Sequence, residues 1–149
     1  MSVKTFDPAQ VVLSFGGIPM GGYADGEFIS VEPTSDDFQM SSGADGETSR
    51  VKLNDNSATL TLTLAMTSPS NDILTGFRQL DKRTGQGVVP CLCKDLSGRT
   101  TIFSGNAWIR RSPTTKFGKE ISTREWMIDL ADAQLFTGGN GEPIPTFNL

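Results

Sequence analysis

The amino-acid sequence predicts a mainly β fold with one flanking α-helix. Sixteen glycines and eight prolines indicate many turns. Threonine and leucine alternate strictly over residues 59–64, and only residues 69–83 show clear helical spacing. The length of 149 residues is typical of one domain, so we expect a single domain over residues 1–149.

Charge and hydropathy argue against two classes of function. The formal net charge is −4 and the pI is about 4.7. Proteins that grip nucleic acid neutralise phosphates with Lys and Arg, so this balance argues against such a protein. No apolar run approaches membrane-spanning length, and the polar start MSVKTFDPAQ is unlike a signal peptide. We expect a soluble protein, made in a cytoplasm, with no membrane partner.

The first elements are predicted to be an arm and a hairpin. Residues 1–10 have the composition of an extended N-terminal arm, and residues 11–15 form a short apolar strand. A glycine-rich turn and an Asp-Gly pair separate this strand from another, residues 28–32. The pattern predicts that residues 11–32 form one hairpin.

The next stretch is predicted to be a meander with a projecting tip. Residues 38–41 alternate as a strand does, and residues 48–53 return as a second strand. Between them lies SGADGE, residues 42–47, a loop of small and acidic residues. We expect the meander to span residues 38–66, with this loop projecting from the body.

The strand and helix within Ser57–Arg83 are the elements around which the chain is predicted to fold. Successive strand side chains point to opposite faces, so leucines form one face and threonines the other. Ser68 is a natural N-cap, Pro69 suits the first helical position, and Gly85 is expected to end the helix. We expect the helix to pack on the leucine face and to leave the threonine row outside the core. The predicted core residues are Leu60, Leu62, Leu64, Ile73, Leu74, Phe77, Leu80 and Trp126.

The second half is predicted to contain three more strands and a C-terminal arm. The strands cover residues 88–94, 99–109 and 120–130. The apolar parity shifts near Arg124–Glu125, which predicts a bulge or a change of partner. Residues 136–149 are rich in Gly and Pro, and we expect an arm that is either disordered or docked on a neighbour.

In the strand over 99–109, Phe103, Ala107 and Ile109 share the parity of a half-buried strand and are predicted to face inward. Trp108 and Ile102 have the other parity, which leaves open that both faces of this strand are partly covered and that Trp108 also joins the core. In the strand over 120–130, Trp126, Ile128 and Leu130 share one parity and Met127 has the other.

The sequence lacks the usual chemistry of an active site. It contains no histidine, which removes Ser-His-Asp and Cys-His catalysis and most zinc sites. Cys91 and Cys93 share one strand face and cannot close an unstrained disulfide, so we expect two reduced core thiols. Asp36–Asp37, the glycine-rich residues 15–22 and the residues 54–56 all lack the geometry or spacing of catalytic, nucleotide or calcium sites. We expect no catalytic residue, no metal and no cofactor.

Two surface features each leave two interpretations open. The basic pairs Lys82–Arg83 and Arg110–Arg111 either meet an acidic surface of another subunit or are simply solvated. The acidic loop at residues 43–47 suits the first interpretation, as a head-to-tail contact. The threonine face is either an ordinary water-facing sheet surface or the lining of a shared channel.

The order of several segments resembles one family along nearly the whole chain. The segments are SVKTF, FGGIPMGGYADGEFISVE, SSGADGETSR, SATLTLTLAMTSPSND, CKDLSGRT and AWIRRSP…FGKE…STREWMI. From about residue 2 to about residue 140 they resemble the tail tube proteins of contractile-tail bacteriophages. These segments mark turns and strands, and none is a catalytic signature. The family is similar to the secreted ring proteins of type VI secretion.

The resemblance implies a β-sandwich or barrel-like core and a structural, non-enzymatic function. It implies hexameric rings that stack into a tube inside a tail sheath, around a tape-measure protein, with baseplate and tail-terminator proteins as further partners. The tube then conducts phage DNA without binding it tightly. The implied location is the virion, after assembly in the host cytoplasm. Two alternatives stay open: a single-ring tube-end or baseplate adaptor, and a small β-sandwich enzyme or carbohydrate-binding module.

Within this framework the sequence offers two sets of candidate site residues. The candidate lumen-facing residues are Thr59, Thr61, Thr63, Glu32 and Asp36. The candidate residues for contact between rings are Ser42, Gly43, Ala44, Asp45, Gly46, Glu47, Thr48, Ser49 and Arg50.

Overall fold

The computed structural model describes residues 3–140, which contain ten β-strands, one α-helix and a short 3-10 helix, Pro8–Gln10. The strands are β1 (Val11–Phe15), β2 (Ile18–Pro19), β3 (Ile29–Pro33), β4 (Phe38–Ser42), β5 (Thr48–Lys52), β6 (Ala58–Ala65), β7 (Val89–Asp95), β8 (Thr101–Arg111), β9 (Thr123–Ala131) and β10 (Gln134–Phe136), and the helix α1 is Ser70–Thr84. The predicted mainly β fold with one flanking helix is confirmed.

Eight strands form one antiparallel sheet that curls around a single core. Its order is β2-β1-β7-β8-β9-β6-β3, with β10 paired to β8 off this path. Strands β4 and β5 pair only with each other, in a separate two-stranded sheet. Side chains of β1 and β6, from distant places in the sheet order, join one buried cluster with α1. This arrangement requires the sheet to curl.

Two predicted pairings are wrong. Residues 11–32 are not one hairpin, because β1 pairs with β2 and β7 whereas β3 pairs with β6. The hairpin of β4 and β5 is present, but it does not continue as a meander into β6. Strand β6 buries a full apolar row and lies between β3 and β9. All ten residues of β4 and β5 are exposed, so these strands bring no apolar face to that core.

Strand β6 and helix α1 form where the sequence predicts them. Burial alternates along β6, with every second residue buried. The helix begins at Ser70, one residue later than predicted, and Pro69 is its N-cap residue. The Ser68 hydroxyl oxygen accepts a hydrogen bond from the Ser70 backbone N–H at 3.2 Å, so this serine still satisfies the helix start. Gly85 ends the helix in the left-handed conformation, as expected.

The helix buries its apolar stripe in the cluster that contains the leucine face of β6. The buried cluster includes Leu60, Leu62, Leu64, Leu74 and Trp126, as predicted. Ile73 and Phe77 are partly buried and pack against this cluster. Leu80 is 38% exposed, so its assignment to the core is wrong. Phe77 meets Phe15 edge-on at 5.1 Å between ring centroids, and Leu80 lies one helical turn beyond that contact.

Strand β8 contains two register shifts that the sequence pattern did not locate. Between the pairs Val89–Ala107 and Cys91–Ser104, β8 advances three residues while β7 advances two. The shift changes which residues face the core. Ser104 is fully buried and Phe103 is 39% exposed, so the predicted inward position of Phe103 is wrong. The Ser104 hydroxyl donates to the Ala131 carbonyl oxygen at 2.6 Å, which satisfies the buried polar group.

The second shift lies in β8 at Arg110, between Ile109 and Arg111, opposite Ile128 and Met127 of β9. The predicted bulge or change of partner near Arg124–Glu125 is wrong, because β9 pairs with β6 in unbroken register from Thr123 to Leu130. Trp126, Ile128 and Leu130 are buried, as the alternation predicts.

Cys91 and Cys93 are buried thiols without a disulfide, as predicted. Burial raises the pKa of Cys91 to about 12 and the pKa of Cys93 to about 11. Both side chains are therefore protonated at neutral pH and pack as small apolar groups.

The two predicted arms differ in how much of each is described. Residues 3–10 are exposed along their whole length. Of the expected C-terminal arm, residues 141–149 lie outside the described residues, and Phe136 is the last residue of β10. No helix within residues 3–140 has the length and apolar character that crossing a membrane requires.

Candidate functional site

The threonine row lies on the face of the sheet opposite the core. Thr59, Thr61 and Thr63 are half-buried between the fully buried leucines. Directly opposed residues of an antiparallel pair share a face, so the register extends this surface across neighbouring strands. One row runs Glu32, Thr59, Asp129 and Trp108, and the next runs Ser30, Thr61, Met127 and Arg111. We call this surface the threonine face.

Arg110 is held against the threonine face by two partners. Its Nη2 lies 2.5 Å from Asp129 Oδ1, and its Nε donates to the same oxygen at 3.0 Å. Nη2 also donates to Thr59 Oγ1 at 3.0 Å. The hydrogen bonds that the Arg110 guanidinium donates to Asp129 raise its pKa, so it stays charged. A cation and a carboxylate on this face thus neutralise each other.

The bulge in β8 places Arg110 where it reaches β9 and β6. Sequence reasoning missed Asp129 and treated Arg110 only as half of a basic pair. The alternation of β9 contained a usable signal, because Asp129 and Glu125 have the parity opposite to buried Trp126. What it could not show is that Asp129 lies directly across from Thr59.

Glu32 and Asp36 line one groove, but only Glu32 belongs to the threonine face. Glu32 lies directly across from Thr59, on the threonine face. Asp36 lies beyond the end of β3, in the connection to β4, beside Glu32 and Asp55 around a shallow groove. Hydrogen bonds from the hydroxyl and backbone N–H of Ser57 lower the pKa of the Asp55 carboxyl. The strand register therefore puts four of the five candidate lumen residues on one face, and Asp36 lies beside Glu32 at the border of that face.

The candidate residues for contact between rings, Ser42 to Arg50, all lie at the tip of the β4–β5 hairpin. The turn is tight: Gly43 N–H donates to the Glu47 carbonyl at 2.8 Å, and Asp45 Oδ1 accepts from Glu47 N–H at 3.1 Å. Gly46 adopts φ 84°, a conformation that favours glycine. We call residues 34–57, which contain this hairpin, the arm, as distinct from the predicted terminal segments.

The arm exposes apolar side chains. Phe38, Met40 and Val51 are 48%, 74% and 55% exposed. The Arg50 guanidinium lies over the Phe38 ring, 4.4 Å from its centroid, and covers one of its faces. Isolated two-stranded hairpins are marginal in water, and exposed apolar groups on one favour a partner surface.

Within residues 3–140, no group of three or more His, Cys, Asp or Glu side chains is placed to hold a metal ion. The charged side chains of the threonine face form a salt bridge or face solvent. This arrangement can shape a polar surface but shows no nucleophile paired with a base.

A family model described as "Bacteriophage PhiTE tail tube protein" matches residues 12–138 of the chain. The chain belongs to this tail tube family. It is also 33% identical over 150 residues to "Structural protein ORF10" of Pseudomonas phage KPP10, across 95% of this chain and 87% of that protein. Both matches are to structural proteins of phages, and the assignment to the tail tube family rests on sequence.

The fold of this tail tube family member is also that of proteins from contractile injection systems. The anti-feeding prophage cap, which terminates a tube, matches with a TM-score of 0.62 and 11% identity, over 92% of this chain and 95% of that chain. The PVC sheath/tube terminator matches with a TM-score of 0.63 and 13% identity, over 92% of this chain and 100% of that chain. A chain of the PVC sheath–tube complex matches with a TM-score of 0.59 and 13% identity, over 89% of this chain and 91% of that chain. At these identities the likeness shows the fold alone.

Proposed function

We propose that this protein forms stacked hexameric rings of the inner tube of a contractile phage tail, through which the genome is delivered. The observation that carries the proposal is the exposed β4–β5 hairpin of the arm with its apolar side chains, on a subunit of the tail tube family. Strand β3 ends the sheet order, and ring closure through neighbouring subunits would cover this edge. A head-to-tail contact along the axis does not close and so builds a filament.

The proposed partners follow from this position in the tail. They are other copies of this chain, the tail sheath protein outside the tube and the tape-measure protein inside it. Baseplate and tail-terminator proteins would meet the two ends, and phage DNA would pass without tight binding. Assembly would take place in the host cytoplasm, and we propose no enzymatic activity.

We propose that the threonine face lines the lumen. It presents hydroxyl groups and carboxylates, and its Arg110 is engaged by Asp129 and Thr59. Affinity for DNA comes from cations that are available to phosphates. Arg110 is engaged and only Arg111, at the end of this face, stays available to them, so the named residues of the wall offer little affinity. Each subunit has a formal charge of −4, so six subunits together carry −24, which opposes adhesion of DNA.

A second candidate function is a tube-end adaptor that forms one ring without stacking. Two of the structural relatives named above are terminators, which favours keeping this candidate. Electron microscopy of the concentrated, purified protein at near-neutral pH separates the two. Open-ended hollow tubes with six-fold symmetry support the tube subunit, whereas rings that never stack support the adaptor. A protein that remains monomeric even with baseplate added would contradict both.

The lumen assignment has its own test in Asp129→Asn phage. The variant leaves the Arg110 cation without its carboxylate, so DNA ejection in vitro should become slower than in the parent phage. Asp72→Asn is the matched control, because it makes the same charge change in the first turn of α1. Equal ejection rates for all three phages would contradict a lumen position for this face.

A further inference from the structure

The arm and one long loop leave the sheet at opposite ends. The arm connects β3 to β6 and emerges where Pro33 pairs with Ala58. The loop between β8 and β9 emerges at the other end of β6, where Ala65 pairs with Thr123. Strand β6 has eight residues, which separates the two ends by about 25 Å. We call residues 111–124, which contain this loop, the end loop.

The arm and the end loop have opposite charge. The arm contains five carboxylates against two cations, a formal charge of −3: Asp36, Asp37, Asp45, Glu47 and Asp55 against Arg50 and Lys52. The end loop contains four cations against one carboxylate, a formal charge of +3: Arg111, Lys116, Lys119 and Arg124 against Glu120. An acidic arm at one end and a basic end loop at the other attract each other when a second copy stacks in the same orientation, whereas two arms or two end loops repel each other.

Both ends also expose large apolar side chains. Phe117 is 82% exposed and Ile121 is 73% exposed, comparable to the apolar side chains of the arm. Exposed aromatic and aliphatic groups surrounded by charge are typical of protein–protein interfaces. The apolar and electrostatic features of the end loop therefore both complement those of the arm.

The base of the end loop is fixed, which keeps Phe117 at the surface. The Ser122 hydroxyl donates to the Lys116 carbonyl oxygen at 3.0 Å and closes the loop. The Met66 backbone N–H donates to the Ser122 carbonyl at 3.1 Å, which ties the loop to the end of β6. The Arg124 guanidinium lies 5.5 Å from the Phe117 ring centroid. A surface with a closed base loses less entropy when a partner docks.

We propose that the end loop of one copy is the surface that receives the arm of the next copy along the tube. The occupant is a second copy of this chain, because the arm supplies the complementary charge and the exposed apolar groups at the far end of the same subunit. The contact joins two different surfaces and repeats without closing. The inference rests on the proposed stacking function and adds the receiving surface to it.

Charge reversal and its rescue test the contact. The first variant is Lys116→Glu with Lys119→Glu, the second is Asp45→Lys with Glu47→Lys, and the third combines all four changes. These side chains are exposed, so the fold should survive, and circular dichroism with thermal unfolding verifies this. Each double variant should reduce the sedimentable polymer by at least about tenfold, and the combined variant should recover most of it. Lys82→Glu with Arg83→Glu, in the last turn of α1, is the control and should still polymerise.

The outcomes separate this inference from the proposed function. If the parent protein forms tubes and the Lys116/Lys119 variant forms them equally well, the receiving surface is wrong while the tube function stands. If both double variants lose polymer but the combination does not recover it, the two surfaces do not contact each other. If the parent protein with baseplate forms no tubes at all, the proposed function fails and the inference falls with it.

Discussion

Replacing Trp126 with phenylalanine should destabilise the fold through one hydrogen bond and one small void. The indole is 1% exposed, and its Nε1–H donates to Asn71 Oδ1 at 2.9 Å. The Asn71 amide in turn donates to the carbonyl oxygens of Ala65 and Ser68, at 3.0 and 3.1 Å. The side chain of Asn71 thus joins β9, the end of β6 and the start of α1.

The magnitude follows from these contacts. Leaving a buried acceptor without its donor costs about 1–3 kcal/mol, and the half-buried position of Asn71 favours the lower part of that range. The smaller ring also leaves a void under the helix, which costs about 1 kcal/mol more. We therefore expect Trp126→Phe to lower the free energy of unfolding by about 2–3 kcal/mol.

Urea unfolding at low protein concentration measures this change without a contribution from assembly. Trp108 remains as the fluorescence probe in the variant. Trp108→Phe is the control, because Trp108 is only half-buried and lies on the opposite face of the sheet, so its loss should cost less than about 1 kcal/mol. Equal costs for the two substitutions would refute the account of the Trp126–Asn71 contact.

Three further changes have effects that the structure specifies. Leu62→Ala removes a fully buried side chain and should cost about 2–5 kcal/mol in urea unfolding. Gly22→Ala should lower the melting temperature more than Gly85→Ala. Both glycines have φ 71°, but an added Cβ at Gly22 would lie 2.6 Å from Ser68 Cβ, whereas an added Cβ at Gly85 meets open space. The free energy of unfolding should not depend on Cys91 and Cys93 below pH 9 and should fall as the pH rises from 9 towards 11–12. Burial raises the pKa values of both thiols above the ordinary 9.0, so in this range the thiols ionise only in the unfolded state.

Each of these expectations has a result that would count against it. A cost below about 1 kcal/mol for Leu62→Ala would mean that the site relaxes around the lost side chain. Equal melting temperatures for the two glycine variants would exclude the steric effect at Gly22. For the pH effect, a variant with both cysteines changed to serine should lose the decline between pH 9 and 11. A parallel decline in that variant would assign the effect to other groups.

The sequence predicted the elements whose signals are local. The alternation in β6, the stripe of α1 and the stop at Gly85 each depend on residues within a turn or a strand of one another. Helical and extended chains place neighbouring side chains in fixed directions, so burial of these residues could be predicted without knowing the partner strands. The arm tip at 42–47 was predicted for the same reason, from its small and acidic turn residues.

Only the tertiary structure decided which strands pair and in what register. Residues 11–15 and 28–32 have good strand sequences, but their partners, β7 and β6, were set by which pairings close the core. The two shifts in β8 exposed Phe103 and brought Arg110 to Asp129, 19 residues away in the chain. The opposition of the acidic arm and the basic end loop likewise depends on β6 lying between β3 and β9. Strand pairing and register depend on free-energy differences between alternative non-local contacts, and the local periodicity of the chain carries no information about those differences.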